Sequence, residues 1–461
     1  MGPSPGKVVI LGAGPCGLGA AFRLRELGFQ DFEIFEASDH PGGLASSYVD
    51  PAGFTWDVGG HVQFSHYPDF DRVMDLALPD GWLEHKRESW IWLLDRFVPY
   101  PFQANLWRLP ADQIEKCVSG LEQAQTKTMK LRHFGDWMDS SFGSGICDLF
   151  MRPYNFKVWA HPAEMMSYQW IGERVAVVDL PKVKSQILAQ KDEVSWGPNS
   201  RFRFPKSGGT GAVWRSVANL VGNDKIQLNH RGILVDPLKR EIIVRNDQSL
   251  QSRRVNYDVL LSTIPITTLC EISNISAPKG FLSSDVHIVG IGLEGKIPDN
   301  LAAKSWIYFP EEKTPFYRVT VFSNYSPANV PDPKIHWSLM CETSSSDFKR
   351  ENPDLIVQKT IDALSAEGFI GPNQKIISKW HFSATPGYPT PFVGRDDLIQ
   401  GLFDQLSGFQ IYSRGRFGAW KYEVSNQDHT FMQGFEWADW IMGGKPEITV
   451  FDPAKANASR G

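Results

Sequence analysis

Apolar runs and glycine-rich turns alternate in the first part of the chain. Val8–Leu11 is a run of four apolar residues, which is typical of a buried parallel strand, and residues 18–27 have the composition of a helix closed by Gly28. A second apolar strand is predicted at Phe32–Phe35. This order of strand, turn, helix and strand predicts a βαβ unit.

The remaining chain predicts further strands and helices. Strand-like segments are residues 84–102, 225–235, 241–246, 257–263 and the alternating stretch 285–345. Residues 109–195 are predicted to be mostly helical. Apolar side chains recur at helical spacing at Ile114, Val118 and Leu121, at Val357, Ile361 and Leu364, and at Phe431, Phe435, Ala438 and Met442. The order indicates a nucleotide-binding fold that two insertions interrupt and that the C-terminal part completes.

The turn after the first strand has the spacing Gly-x-Gly-x-x-Gly at Gly12, Gly14 and Gly17. Gly12 allows a tight turn, Gly14 lets a pyrophosphate approach the backbone, and Gly17 lets the helix pack against the strand. Glu36 ends the second strand 19 residues after Gly17, where dinucleotide folds place an acid that binds the ribose hydroxyls. A tight turn without a ligand is the alternative, but the whole unit in register favours a dinucleotide site.

Composition and charge narrow the function classes. The 461-residue chain has a net charge of −5, so an anionic ligand needs local arginines, and neither nucleic acid nor an anionic membrane is an expected partner. The five cysteines are scattered without a CxxC pair, which favours a reducing compartment over a zinc site or disulfides. No signal peptide or membrane-spanning run is visible, so we expect a cytoplasmic protein. The absence of a CxxC pair also leads us to expect no metal.

A second glycine pair follows the predicted acid, in His40-Pro41-Gly42-Gly43-Leu44. It resembles FAD-dependent oxidoreductases of the amine oxidase type, in which this pair approaches the same pyrophosphate. The resemblance implies FAD and an α/β fold class, with a Rossmann-like FAD-binding domain, an inserted α-helical domain and an antiparallel β-sheet domain. The expected domains are residues 1–85 with 205–285 and 400–445 for FAD, 104–200 for the helices, 86–103 with 286–399 for the substrate sheet, and 446–461 for a C-terminal tail.

Several short polar or aromatic motifs, each different from the others, lie along the chain. They are DVGGHVQFSHY at residues 57–67, MRPYNFKVW at 151–159, GERVA at 172–176, WIYFP at 306–310, PFYR at 315–318, GYPTP at 387–391, SRGRFGAWKYE at 413–423 and NQDH at 426–429. Each alone is a weak signal. Together, in this order and up to about residue 445, they closely resemble the UDP-galactopyranose mutase family in its eukaryotic branch of fungi and protozoan parasites.

The resemblance implies an isomerase that uses FAD without net redox change. Reduced flavin N5 attacks the anomeric carbon and releases UDP, the sugar ring opens and recloses, and UDP returns. UDP-galactopyranose and UDP-galactofuranose are the implied substrates. Since the nucleophile is a cofactor atom, the protein positions groups and stabilises charge.

The resemblance assigns a substrate site, with His61, Arg174 and Arg318 as its catalytic residues. Arg174 and Arg318 are expected to hold the diphosphate, because a guanidinium suits phosphate oxygens, and pairing with an acid is the alternative for each. Hydroxyl donors to the same phosphates are expected from Tyr308, Tyr388 and Tyr422. The residues implied around uridine are Tyr100, Gln103, Phe150, Tyr154 and Asn155. Trp159, Asn199 and Trp306 are expected near galactose or the flavin, with core packing as the rival interpretation.

The resemblance also assigns a flavin site. Its implied residues are Gly12, Gly14, Pro15, Cys16, Gly17, Glu36, Gly42, Gly43, Leu44, Gly60, His61, Leu234, Arg416, Asn426 and Gln427. Asn426 and Gln427 open the last predicted helix, whose N-terminus favours the negative charge of reduced flavin. A further glycine segment, Gly208-Gly209-Thr210-Gly211, fits either a cofactor contact or a helix N-terminal turn without a ligand.

Reduced flavin needs a reductant, and the eukaryotic branch uses NADPH. The family's contacts to the NADPH 2′-phosphate fall on Arg87 and Ser89, where an ion pair at a strand edge is an equal alternative. The chain is shorter than the fungal members and closer to the protozoan type, so a monomer is expected rather than a tetramer.

Other function classes differ in what they require of the sequence. An amine-oxidase-type oxidase shares the FAD core but binds uncharged or cationic substrates, so the two arginine motifs argue against it. A flavin-binding redox sensor would not need Arg174, Arg318 and Tyr422. Mutase chemistry on another UDP-sugar, such as UDP-N-acetylgalactosamine or UDP-arabinose, stays open.

Overall fold

The computed structural model describes residues 5–177, 179–194 and 197–458. Its strands, in chain order, are β1 (Val8–Leu11), β2 (Phe32–Phe35), β3 (Ser47–Val49), β4 (Thr55–Asp57), β5 (Trp82–Lys86), β6 (Ser89–Leu93), β7 (Arg96–Pro99), β8 (Arg201–Pro205), β9 (Ile226–Gln227), β10 (His230–Asp236), β11 (Glu241–Asn246), β12 (Ser252–Asn256), β13 (Val259–Ser262), β14 (Ser283–Glu294), β15 (Trp306–Tyr308), β16 (Arg318–Val321), β17 (His336–Ser345), β18 (Ile376–Pro389) and β19 (Ile411–Ser413).

Its α-helices, in chain order, are α1 (Pro15–Glu26), α2 (Pro68–Ala77), α3 (Ala111–Thr126), α4 (Phe134–Ile146), α5 (Arg152–Trp159), α6 (Leu180–Ala189), α7 (Gly209–Val221), α8 (Ile266–Ile272), α9 (Ile356–Ala366), α10 (Arg395–Ser407), α11 (Gln427–Gly443), α12 (Ile448–Phe451) and α13 (Pro453–Ala456). A π-helical turn, Cys147–Met151, joins α4 to α5.

A five-stranded parallel sheet in the order β19-β13-β1-β2-β9 forms the centre of the nucleotide-binding part. Alternate residues of β1 point to opposite faces. Val8 and Ile10 pack with α1, α7 and α11, whereas Val9 and Leu11 pack with β10–β12, α8 and α10. Both faces are covered, which explains why β1 is apolar at every position.

A second, seven-stranded sheet has the order β18-β14-β17-β16-β15-β6-β7 and is antiparallel except for the β15–β6 pair. Its β14 contains Gly290 and Gly292, where an added Cβ would lie 2.6 Å from the ring of Trp56 and 2.7 Å from the ring of Phe54. The glycines therefore let two aromatic rings lie flat on this face, while α9 covers the other face. Helices α3 to α6 form a separate helical layer around Phe134, Phe142 and Trp159.

The structure refines several predicted boundaries. Helix α1 begins at Pro15 rather than at residue 18, because the turn needs only two residues after Gly12. Strand β12, which is mostly exposed and lacks a clear apolar alternation, was missed. Helix α10 runs across the predicted domain boundary between residues 399 and 400, and the predicted tail contains α12 and α13. None of the helices in the described ranges has the length and apolar composition of a membrane span.

Candidate active site

A cavity of about 570 Å³ lies where the carboxyl ends of the parallel strands meet the seven-stranded sheet. Such an edge is where open parallel sheets bind ligands. Gly12, Glu36 and Thr263 follow β1, β2 and β13 and line one end of the cavity, whereas Arg318 and Tyr388 line the other. One cavity therefore joins the predicted cofactor site to the predicted substrate site.

The glycine turn has the geometry that a pyrophosphate requires. An added Cβ at Gly14 would lie 3.9 Å from the Cα of Gly43, so the two glycine segments face each other without side chains. At Gly17, an added Cβ would lie only 1.9 Å from the carbonyl oxygen of Gly12, which explains the glycine by helix packing. The turn thus combines an open cradle at Gly14 with a packed contact at Gly17.

The carboxylate of Glu36 binds the backbone of this turn. Its Oε2 accepts a hydrogen bond from the Ala13 amide at 2.7 Å, and its Oε1 accepts one from the Ser38 amide at 2.8 Å. Glu36 is buried and lines the cavity. The acid is therefore fixed beside the glycine turn, and its contact with the ribose hydroxyls of a cofactor stays a prediction.

A second helix N-terminus reaches the same cavity. Asn426 is the N-cap of α11, its side chain makes no capping hydrogen bond, and Asn426, Gln427, Asp428 and Thr430 line the cavity. The Gln427 side chain is held by Gln63 at 2.9 Å and by the Trp214 indole at 2.6 Å. Because helix N-termini favour negative charge, α1 and α11 both make this cavity suitable for an anionic cofactor.

A buried ion pair forms the wall opposite the glycine turn. The Arg318 guanidinium donates to the Glu342 carboxylate at 2.8 and 2.7 Å, and the Gly60 amide and Tyr317 hydroxyl donate to it at 2.9 and 2.8 Å. Burial alone would raise the pKa of Glu342, but Arg318 and these donors lower it below its ordinary value. Glu342 is therefore ionised and fixes Arg318 in place.

His61 lies beside this pair. Its Nδ1 is buried and has no hydrogen-bond partner among the described residues. Burial lowers the pKa of His61 to about 4, with Arg416 and Arg318 adding to the decrease and Glu342 opposing it. The ring is therefore neutral at physiological pH and presents an unused polar atom to a ligand.

Arg174 reaches the cavity from the helical layer. Its Nη2 donates to the carbonyl oxygen of Glu423 at 2.6 Å, and its guanidinium carbon lies 5.0 Å from the centre of the Tyr422 ring. Its buried Nε has no hydrogen-bond partner among the described residues. The guanidinium is thus oriented by a carbonyl and a ring and keeps donors for a ligand.

Arg416 is a third cation on the cavity wall. It donates to the carbonyl oxygens of Gly387 and Ser425 and stacks 4.9 Å from the Tyr388 ring. It forms no ion pair with any carboxylate in the described part of the chain. Burial lowers the pKa of Arg416, so a bound anion would stabilise its charged form.

A smaller cavity of about 200 Å³ adjoins the main one, and Phe64, Arg174, Asn199, Tyr308, Tyr422 and Asn426 line both. Arg87 and Tyr100 line the smaller cavity, and the Arg87 guanidinium donates to the Asn199 side chain. Ser89 is buried in β6 and lines neither cavity. The two predicted NADPH residues therefore do not share one surface.

The predicted site residues divide into three groups, and Arg87 and Tyr100, which line only the smaller cavity, form one of them. Those that line the main cavity are Gly12, Gly14, Pro15, Cys16, Glu36, Gly43, Leu44, Gly60, His61, Arg174, Asn199, Trp306, Tyr308, Arg318, Tyr388, Arg416, Tyr422, Asn426 and Gln427. Those that line neither cavity, besides Ser89, are Gly17, Gly42, Gln103, Phe150, Tyr154, Asn155, Trp159 and Leu234.

Most of the residues that line neither cavity lie in packed layers. Phe150 stacks on Tyr154 with ring centres 5.2 Å apart, and Tyr154 contacts Tyr308 at the same distance. The Gln103 side chain donates to the Ala176 carbonyl, and Asn155 donates to the Met151 carbonyl. These residues lie behind the cavity wall, so their contact with uridine stays a prediction.

The further glycine segment has a structural function. It opens α7, and the Asp57 carboxylate and Ser47 hydroxyl accept hydrogen bonds from the Thr210 and Gly211 amides at 3.1 and 2.7 Å. Protein side chains therefore occupy this helix N-terminus. Of the two interpretations of this segment, the helix N-terminal turn agrees with these contacts.

Three residues near the start of α11 offer atoms that suit a metal, His66, Asp428 and His429, within 4.8 Å of one another. His66 Nδ1 lies 2.7 Å from the Asp428 carboxylate, and His429 Nδ1 lies 2.7 Å from the Tyr67 hydroxyl. One nitrogen of each ring is therefore engaged within the protein, and the cluster explains the second histidine of the 57–67 motif by packing against α11.

Sequence reasoning missed Glu342. The residue has no recognisable local motif, and its importance depends on strand register, since Arg318 of β16 pairs with Glu342 of β17. An alternating strand with one acid between apolar residues, LMCET, was the only available signal.

The geometry defines a dinucleotide-binding flavoprotein of the amine-oxidase type. Residues 10–77 match the family described as an NAD(P)-binding Rossmann-like domain. Putrescine oxidase shares the fold, with a TM-score of 0.60 and 16% identity over 94% of this chain and 98% of that chain. Mitochondrial protoporphyrinogen oxidase of Nicotiana tabacum is 23% identical over 60% of this chain, and the match spans 63% of that relative's length.

A far closer similarity identifies the family. A crystal structure of reduced UDP-galactopyranose mutase matches with a TM-score of 0.94 and 43% identity over 99% of this chain and 98% of that chain. The chain belongs to the UDP-galactopyranose mutase family of flavin-dependent enzymes. The open cradle at Gly14 and Gly43, the two helix N-termini and Arg416 fit the FAD that this family uses.

Proposed function

We propose that this protein interconverts UDP-galactopyranose and UDP-galactofuranose with reduced FAD. The observation that carries the proposal is the pair of arginines, Arg174 and Arg318, on the wall of the cavity that also contains the glycine turn. A nucleotide-sugar diphosphate needs positive donors, and a chain with a net charge of −5 provides them only locally. The similarity to the reduced mutase supports the same activity.

In this proposal both arginines bind the diphosphate, but their contributions differ. Glu342 neutralises part of the Arg318 charge, while Arg174 has a carbonyl rather than a carboxylate as its partner. We therefore assign Arg174 the larger electrostatic contribution and Arg318 a fixed, preorganised contact. Tyr308, Tyr388 and Tyr422 line the same cavity and add hydroxyl donors.

When bound and reduced, FAD supplies its N5 as the nucleophile toward the anomeric carbon of the sugar. The protein's own groups hold UDP, exclude water and stabilise charge. Gly14, Glu36 and the N-terminus of α1 would hold the pyrophosphate and ribose, and the N-terminus of α11 would face the flavin ring. Neutral His61 would offer an uncharged acceptor or donor to the bound flavin, and Arg416 would offer it a positive charge.

UDP binding tests the assignment separately from turnover. UDP titrated into the oxidised holoenzyme should quench or shift flavin fluorescence with a measurable Kd. Arg174→Ala should weaken UDP binding by about tenfold or more while the FAD content stays at one per chain, because charged hydrogen bonds to phosphate contribute about 1.5–3 kcal/mol. Arg215→Ala, a variant at a half-buried arginine on α7 away from the cavity wall, serves as the control. Unchanged UDP affinity in Arg174→Ala would remove the diphosphate assignment.

NADPH is our proposed reductant. Arg87 supports it, because its guanidinium lies on the wall of the smaller cavity that adjoins the substrate site. Ser89 is buried and points to no described cavity, so Arg87 carries the proposal alone. This reductant is in keeping with the resemblance to the eukaryotic branch.

We further propose a cytoplasmic, monomeric protein whose product enters cell-surface glycan biosynthesis. All five cysteines are buried and unpaired, which fits a reducing compartment. Analytical ultracentrifugation tests the oligomeric state.

A further inference from the structure

The segment 447–457 packs firmly against the active-site part of the molecule. The Glu447 carboxylate accepts hydrogen bonds from Arg414 at 2.6 and 2.8 Å, and both side chains are buried. Thr449 donates to Glu436 through its amide and its hydroxyl at 2.7 and 2.9 Å. The Val450 carbonyl accepts a hydrogen bond from Lys421 at 2.8 Å. This segment is therefore part of the folded body rather than a loose tail.

Asn457, near the end of this segment, contacts the turn that orients Arg174. Its side-chain Nδ2 donates to the carbonyl oxygen of Glu423 at 3.0 Å and to the carbonyl oxygen of Pro453 at 2.8 Å. The same Glu423 carbonyl accepts the 2.6 Å hydrogen bond from Arg174 Nη2. A carbonyl oxygen has two lone pairs, so Asn457 and Arg174 share one acceptor.

The turn around Glu423 is fixed on its other sides as well. The Glu423 carboxylate pairs with the buried Arg395 at 2.5 and 2.8 Å. Two residues later, the Ser425 carbonyl accepts a hydrogen bond from Arg416. Asn457 therefore completes a rigid frame in which the direction of the Glu423 carbonyl determines where Arg174 lies.

Asn457 also lines the smaller cavity together with Arg174, Tyr422 and Asn426. It lies against His429 of α11, where its amide opposes the lowering of the His429 pKa by burial. One side chain thus touches both the Arg174 anchor and the helix whose N-terminus lines the main cavity.

We propose that Asn457 is a positioning residue for the substrate diphosphate, which acts by sharing the Glu423 carbonyl with Arg174. The inference rests on the proposed function, because it concerns the same diphosphate site. It assigns the C-terminal segment a part in substrate binding that the motifs of the sequence did not indicate.

The test compares wild type, Asn457→Ala, Arg174→Ala and the double variant, with Lys455→Ala as a matched control on the exposed face of α13. The measurements are the UDP Kd, KM and kcat with dithionite-reduced holoenzyme, FAD content and thermal midpoint. Asn457→Ala should raise KM and Kd by about five- to tenfold, which corresponds to one hydrogen bond, with kcat within about twofold. Lys455→Ala should behave as wild type.

The double variant distinguishes positioning from a general structural effect. If Asn457 acts through Arg174, Asn457→Ala should change Kd by less than about twofold in the Arg174→Ala background. Equal weakening in both backgrounds, or a Kd within about twofold of wild type in the single variant, would overturn the proposal. If Asn457→Ala does not fold, Asn457→Leu keeps a similar size, removes the donor without adding a charge and must show the same rise in KM.

Failure of the two proposals gives different results. Wild-type holoenzyme without mutase activity would refute the proposed function, whereas an active wild type with an unchanged Asn457→Ala variant would refute only the role of Asn457.

Discussion

The guanidinium of Arg318 and the carboxylate of Glu342 form a two-pronged ion pair at 2.8 and 2.7 Å, with Glu342 only 2% exposed. The same carboxylate accepts the Gly60 amide next to His61. One buried acid therefore fixes both an arginine of the proposed diphosphate site and the loop of the proposed flavin site.

Glu342→Gln should be strongly destabilising. The substitution leaves the Arg318 charge buried without its partner, and breaking a buried pair in this way costs about 3–5 kcal/mol. Urea denaturation of the holoenzyme measures the free energy of unfolding. Glu294→Gln is the control, because Glu294 pairs with Lys375 at the surface and its loss should cost less than about 1 kcal/mol. Equal stability losses in the two variants would contradict the account of the buried pair.

The glycines of the first turn should separate cofactor binding from folding. Gly14→Ala adds a methyl group at an ordinary 3.9 Å contact, so the chain should fold but the methyl group should block the approach of the pyrophosphate. The purified variant should then contain little FAD, measured as the ratio of absorbance at about 450 nm to protein absorbance.

Gly17→Ala should behave in the opposite way. Its Cβ would lie 1.9 Å from the Gly12 carbonyl oxygen, so helix and strand must separate and the thermal midpoint should fall. Full FAD content in Gly14→Ala, or a normal thermal midpoint in Gly17→Ala, would show that the turn does not work as described.

The extent of correct prediction depends on how local the relevant contacts are. The unit from Val8 to Glu36 could be predicted because the turn, the helix start and the acid all lie in one short stretch of chain and have one spacing pattern. The boundaries of β1 and β2 agree with the sequence pattern, and Glu36 lies beside the glycine turn. The local spacing of the sequence was therefore sufficient to predict the elements at the cofactor end of the cavity.

Contacts between distant strands could not be predicted from sequence. The partner of Arg318 is 24 residues away and depends on the register of β16 with β17. Asn457 meets Glu423 through a turn and two short helices that have no distinctive sequence pattern. The side chains of Gln103 and Asn155 donate to backbone carbonyls, and these contacts depend on packing that no local pattern indicates.

His61 should give the protein a measurable pH dependence of stability. Its folded pKa is about 4, whereas an unfolded histidine has a pKa of about 6.5, so the unfolded chain binds more protons between these values. Stability should therefore fall as the pH decreases from about 6.5 to 4, by up to about 3 kcal/mol from this residue. In His61→Gln this component is absent, so urea midpoints of the variant should fall less steeply than those of wild type. Parallel pH curves would contradict a neutral, buried His61.

Arg87→Ala should impair flavin reduction by NADPH without impairing the mutase reaction itself. Removal of the guanidinium from the smaller cavity should raise the Kd for NADPH by about tenfold in anaerobic stopped-flow reduction, since it removes a charged contact to phosphate. The same variant reduced with dithionite should keep turnover near that of wild type. Reduction by NADPH at the wild-type rate and affinity would refute this role.

The central claim is tested most directly by turnover at defined flavin redox state. Purified holoenzyme is incubated anaerobically with UDP-galactofuranose, oxidised or reduced with dithionite, and the UDP-sugars are separated by chromatography while the flavin spectrum is recorded. The account predicts conversion to UDP-galactopyranose only with reduced enzyme, over many turnovers and with the flavin still reduced at the end. Absence of conversion by the reduced holoenzyme, or conversion by the oxidised enzyme, would contradict it.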